Sequence, residues 1–224
     1  WFWEGDAVLT ETLLSGQGRG RIPHFTNTYR LWGLQGRNFS YPKAYFGSYK
    51  DYVPSHYPLG YVMISKIRRD HGAKKFNQAI NWTTNYAYWP YAFSMGLRRK
   101  TGQNAPTLYR QAFRELDSLW QKAAEGLPRA GRKPLNTAPK KVWTRYRFPQ
   151  QAADGRILAL KSGLAHTRRL VAINPANGQE EALTQANTNY FHTNGKQVVF
   201  AVHRFDARWD ERSYSEIWKY GLVS

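Results

Sequence analysis

Two glutamates near the start of the chain, Glu4 and Glu11, have the type and spacing to do chemistry. Seven residues is two helical turns, so on a helix both carboxylates point the same way. The stretch Trp1-Phe2-Trp3-Glu4-Gly5-Asp6-Ala7-Val8-Leu9-Thr10-Glu11-Thr12 reads as such a helix, already under way at Trp1. Its apolar residues include Phe2, Trp3, Val8 and Leu9. A carboxylate on the core side of a helix this rich in aromatics loses its hydration, a cost that only a metal or a cation offsets. Gly5 and Ala7, beside Glu4, lack bulk and would let a second helix come close.

Other chemistry-bearing residues form no comparable pattern. None of the six histidines, His24, His56, His71, His166, His192 and His203, is paired with another at the i, i+4 spacing that a two-histidine metal site on a helix needs. His71 falls at a helix end, where the dipole favours an imidazolium. Gly16, Gly18 and Gly20 give a Gly-x-Gly-x-Gly run, but it follows a helix and leads into Pro23. That context predicts a flexible loop and not a phosphate cradle. Asp206 and Asp210, with Arg208, Trp209, Glu211 and Arg212, read as a solvated charged loop. No Ser-His-Asp arrangement and no Walker loop can be built from the spacings.

The elements that must position the acids are helical at first. From His24 to Tyr57 the chain is rich in Tyr, Phe, Pro and Gly with weak periodicity, which predicts irregular packing. A helix follows from Pro58 to a stop at Gly72, with Tyr57, Tyr61, Ile64 and Arg68 on one stripe. Two more are expected near residues 73–82 and 91–100, the second closed by Gly102. Asn104 then starts a long helix over Leu108 to Glu125, with Leu108, Gln111-Ala112, Glu115-Leu116 and Leu119 marking its apolar and polar sides.

Beyond Lys140 the hydrophobic period becomes two. Asp154-Gly155 and Asn194-Gly195 are hairpin signals, each followed by a strand, and they lie 40 residues apart. Leu170 to Ile173, a strand closing at Leu183-Thr184, and Glu216 to Tyr220 complete a pattern of four short strands per repeat, the second unfinished. Such repeats are the signature of propeller blades, which need neighbours to bury their faces.

Two family resemblances emerge from these segments. Trp1-Phe2-x-Glu4-Gly5-x-Ala7-x-x-x-Glu11 resembles the third-ligand helix of the gluzincin metallopeptidases. There an upstream His-Glu-x-x-His helix supplies two zinc ligands and the Glu of Trp-x-x-Glu-Gly-x-Ala supplies the third. The resemblance implies that Glu4 is a zinc ligand and that Glu11 supports the site. It also implies that Tyr57, or His56 beside it, steadies the oxyanion of a tetrahedral intermediate, and that the substrate is a peptide or protein. The chain departs from the family in having no His-Glu pair, so the expectation is a piece of a longer zinc peptidase, inactive and weakly zinc-binding alone. The alternative is a non-catalytic scaffold with a degenerate peptidase half. The strand repeats resemble TolB-like and WD-repeat-like propellers, which implies a partner-binding role and a periplasmic or secreted location.

The chain of 224 residues thus reads as multidomain α plus β. Its expected divisions are a helical metallopeptidase-like part over 1–125, a basic Pro/Gly linker over 126–141 and two blades, the second incomplete, over 142–224. The net charge of +18 suits an anionic partner, but no recognised nucleic-acid module accompanies it. The densest basic run holds Arg129, Arg132, Lys133, Lys140, Lys141, Arg145 and Arg147 among prolines and glycines, and so reads as solvated linker. With no cysteine, disulfides and thiolate metal sites are excluded. No apolar run approaches the ~18 residues that read as a membrane span.

Overall fold

The computed structural model describes residues 1–127, 131, 134–136, 142–209 and 211–222. The fold is α plus β, with helices in the N-terminal part and antiparallel strands after it. Two compact units divide the chain: Trp1–Ser48 with Val53–Arg129, and Tyr49–Tyr52 with Ala130–Ser224. Arg129, Arg132, Lys133, Lys140 and Lys141 of the expected linker lie outside the described residues, as does Asp210.

The helical unit comprises α1 (Phe2–Leu14), a 3-10 turn (Arg19–Arg21), α2 (Pro23–Leu34), α3 (Tyr41–Phe46), α4 (His56–Asn85), α5 (Ala92–Thr101) and α6 (Ala105–Ala124). At its centre is α4, where Leu59, Val62, Met63, Ile64 and Ile67 are all buried. That apolar face is broader than the expected stripe, because α4 is covered by α1, α5 and α6 together. Gly72 takes φ 80°, a left-handed conformation that breaks α4 in two where the sequence predicts a stop. Asn104 caps α6 by accepting the Thr107 backbone N–H at 2.9 Å. Leu119 does not belong to the buried side; it is exposed, and the helix buries Leu108, Tyr109, Ala112 and Phe113 instead.

Two expectations need correction in this unit. The segment from His24 to Tyr57 is irregular only in part, since α2 and α3 form there around buried Tyr29, Gly33 and Ala44. Each helix begins with a proline in its first turn, where the missing N–H costs nothing. The glycine run is less free than the loop expected, being packed against the helices at Gly18 and Gly20 while Gly16 meets open space. A Cβ on Gly18 would lie 2.3 Å from the Thr12 Cα, and one on Gly20 would lie 2.4 Å from the Tyr61 ring. These glycines are small because α1 and α4 leave no room. The Gly20 N–H also donates to Thr12 Oγ1 at 3.0 Å.

The strand unit holds two antiparallel sheets. The first runs β1 (Thr144–Gln151), β2 (Ile157–Gly163), β3 (Arg169–Ile173) and β4 (Glu180–Gln185) in sequential order. The second runs β5 (His192–Thr193), β6 (Gln197–Phe205) and β7 (Ser213–Gly221). Leu158, Leu160, Leu170 and Ala172 of the first share one core with Val198, Phe200 and Val202 of the second. Alternation puts Ala159, Val171 and Ile173 on the opposite face, against Tyr146. Gly155 and Gly195 take φ 84° and 88°, so both predicted hairpin signals turn the chain through the same left-handed conformation. The two sheets do not form a closed ring.

Candidate functional site

The site residues expected from sequence all belong to the helical unit, on α1 and at the start of α4. What brings these helices together is a backbone contact. A Cβ on Gly5 would lie 2.2 Å from the Gly60 carbonyl carbon, and one on Gly60 would lie 2.8 Å from the Gly5 Cα. Of the two small residues expected to admit a second helix, Gly5 does so; Ala7 is exposed. Glu4 precedes Gly5, and Tyr57 lies one turn before Gly60. Chain geometry therefore holds the Glu4 and Tyr57 Cα atoms within roughly 13 Å of each other.

Glu11 and Tyr57 meet through a residue the sequence did not single out. Arg19 donates from Nε to Glu11 Oε2 at 2.8 Å and from its backbone N–H to Glu11 Oε1 at 3.0 Å. Its guanidinium also lies 5.1 Å from the centroid of the Tyr57 ring. These hydrogen bonds, the side-chain one foremost, hold the Glu11 carboxyl below the usual carboxylate range. Glu11 is thus the anchor of the glycine-rich turn. Arg19 escaped notice because its place depends on the path of that turn, which carries no periodicity.

Glu4 is half-buried and makes no hydrogen bond or ion pair with another side chain among the described residues. Asp6, on another face of α1, pairs with Arg68 at 2.6 Å. His56 opens α4, with its ring 6.3 Å from that of Tyr45. Tyr45 also helps to wall a cavity of about 720 Å³, with Trp1, Phe2, Tyr41, Phe46 and Phe93 among its other lining residues. Phe2 stacks on Phe93 there at 4.2 Å and an interplanar angle of 9°. Burial pushes the Tyr41 phenol up to about 12, so it stays a neutral donor in this wall. The chemistry this cavity can offer is an apolar, aromatic surface with phenol hydroxyls, suited to an uncharged side chain.

Among the described residues no three His, Asp or Glu side chains gather as a metal site would require. One carboxylate, Glu4, is what this chain brings to the zinc implied by the resemblance, so no catalytic step is assigned to these residues alone. In the charged loop of the strand unit, Asp206 Oδ1 accepts the backbone N–H groups of Arg208 at 2.8 Å and Trp209 at 3.0 Å. Asp206 is a turn-forming residue there.

Comparison with protein-family models, with curated proteins and with solved structures gives no match.

Proposed function

We propose that this chain is part of a longer zinc peptidase of gluzincin type, joined to the first blades of a propeller. Glu4 would be the third zinc ligand, completing a set whose two histidines come from an upstream His-Glu-x-x-His helix. The observation that carries this reading is the Gly5 to Gly60 contact, which places the helix bearing Glu4 against the helix that opens with His56 and Tyr57. A peptide substrate would find the aromatic cavity beside Tyr45 and His56 ready for an apolar side chain. Glu11 would act at one remove, by fixing Arg19 against Tyr57. When bound, zinc would supply Lewis-acid polarisation of the scissile carbonyl.

In the strand unit, support for a propeller comes from two successive sheets with a shared core and from the matched turns at Gly155 and Gly195. Such blades would recruit or gate substrates, and an exported, periplasmic or secreted setting follows from the same resemblance. The competing reading, a non-catalytic scaffold, keeps the fold and loses the metal.

Two experiments separate them. The coding sequence upstream of Trp1 either holds His-Glu-x-x-His or lacks it. In a protein extended through that helix, Glu4→Gln should cost orders of magnitude in zinc affinity by titration calorimetry. Equal affinity in wild type and Glu4→Gln removes Glu4 as a ligand and leaves the scaffold.

A further inference from the structure

The hairpin formed by the second half of α4 and by α5 ends in an aromatic tip whose Tyr91 also borders the cavity above, while Tyr88 and Trp89 do not line it. Tyr88, Trp89 and Tyr91 are 76%, 52% and 79% exposed, and Tyr86 and Met95 are also exposed. Exposing so many large rings in one turn is costly in water, and they leave only part of their surface on one another. Trp82 stacks on Tyr86 at 4.6 Å, and Arg99 covers the other ring system at 5.4 Å from the Trp82 centroid.

Charge is arranged around this tip in a definite order. From Phe76 to Leu97 the chain carries no Asp, Glu, Lys or Arg. On either side lie Lys74 and Lys75, and Arg98, Arg99 and Lys100, and no acid occurs between Asp70 and Glu115. Along the helices, Arg98 is about 9 Å from the start of α5 and Lys75 roughly 15 Å from the end of α4, at ~1.5 Å per residue. An uncharged Trp/Tyr tip followed by a basic collar matches the layers of a lipid surface: aromatic rings settle at the headgroup level and cations face the phosphates.

We propose that the tip of the α4 to α5 hairpin docks on an anionic lipid bilayer, with Tyr88, Trp89 and Tyr91 entering the headgroup layer and Lys74, Lys75, Arg98 and Arg99 meeting lipid phosphates. It lies on the surface and does not span it, since among the described residues no helix is long and apolar enough to cross a membrane. Single-stranded nucleic acid uses similar residue types, but in a groove that tracks the backbone with free ring faces. Here the rings crown a turn between two helices, and the Trp82 and Tyr86 faces are taken by each other and by Arg99.

The test is co-sedimentation of the full chain with vesicles of phosphatidylcholine alone and of phosphatidylcholine mixed with phosphatidylglycerol, at physiological ionic strength. Because a chain of charge +18 is drawn to any anionic surface, the aromatic residues decide the matter. Tyr88→Ser with Trp89→Ser should lower partition onto the anionic vesicles about tenfold or more. Arg98→Gln with Arg99→Gln should lower it by roughly fivefold per base. Both pairs are exposed and give up few contacts, that of Arg99 with Trp82 among them, so thermal unfolding should shift little. Equal partition of wild type and the aromatic variant would overturn the proposal, as would the absence of wild-type binding. A single-stranded oligonucleotide that binds with the same dependence on Tyr88 and Trp89 would replace the lipid with nucleic acid.

Discussion

Gly5 and Gly60 meet backbone to backbone, so closely that a methyl group on either would fall inside the other helix. Gly5→Ala gains helix propensity, about 1 kcal/mol, but must push α1 off α4. Overpacking of this kind costs roughly 1–3 kcal/mol and here meets rigid backbone, so the clash wins. Gly5→Ala should lower the thermal midpoint, while Gly16→Ala, with nothing within 4 Å of its Cβ, should leave it in place. If both variants melt with wild type, the helices are not in contact at these glycines.

Local rules foretold much of this fold, for reasons visible in single residues. Asn104 can bond its own helix start, and Gly72, Gly155 and Gly195 are positions where only the chain's own stereochemistry decides. By contrast, α2 buries just Tyr29 and Gly33 among its residues, too sparse a pattern to announce a helix. Of the candidate site, α1, Gly5 and the start of α4 were legible. Arg19 was not, because a long-range contact made by a glycine-rich turn leaves no periodic trace. Tyr49–Tyr52 joins the strand unit, where the Lys50 carbonyl accepts the Trp143 N–H at 2.9 Å and Tyr52 stacks on Trp143. No property of that tetrapeptide's own sequence marks the detour.

Asp6 lies on another face of α1 from Glu4. Its ion pair with Arg68 gives it a structural role, since both side chains are about three-quarters buried. Arg68 lies over the Phe76 ring as well, at 5.3 Å from its centroid. Asp6→Asn should therefore destabilise the helical unit by about 1–2 kcal/mol, between the surface and fully buried limits for an ion pair. A urea midpoint identical to wild type would show that the pair contributes nothing.

The two matched hairpin turns should respond unequally to alanine. Both glycines need a left-handed conformation that costs an L-residue about 1–2 kcal/mol. At Gly195 a Cβ would also come within 3.2 Å of the Ala153 backbone nitrogen, whereas at Gly155 it would meet open space. Gly195→Ala should thus lower the melting temperature more than Gly155→Ala does. The reverse order in differential scanning calorimetry would contradict the contact between these turns.

Lys66 makes the helical unit acid-sensitive. Its side chain is 6% exposed and bonds Asp70 at 2.7 Å and also Glu115, while Arg69 reaches Asp70 at 2.8 Å and Glu115 at 2.5 Å. Arg69 and then Lys66 hold the Asp70 carboxyl below its ordinary range; for Glu115 the chief cause is Lys66. Burial pulls the Lys66 ammonium down, but its bonds to the two acids outweigh this and leave it raised. Depressed carboxyls give stability above the ordinary carboxylate range and lose it as pH falls through their folded values. The raised lysine gives stability that is complete below its unfolded value and lost only as pH rises through its folded one. At low pH, then, Lys66 stays charged while its partners are neutralised, leaving a buried ammonium unpaired. Wild type should lose stability steeply below about pH 4. Lys66→Met should stay within about 1 kcal/mol of wild type at neutral pH, because Asp70 and Glu115 are partly exposed and keep Arg69 as partner, so no buried charge is left unpaired. It should also flatten the acid limb of a urea-midpoint profile. An acid limb as steep in Lys66→Met as in wild type would place the sensitivity elsewhere in the chain.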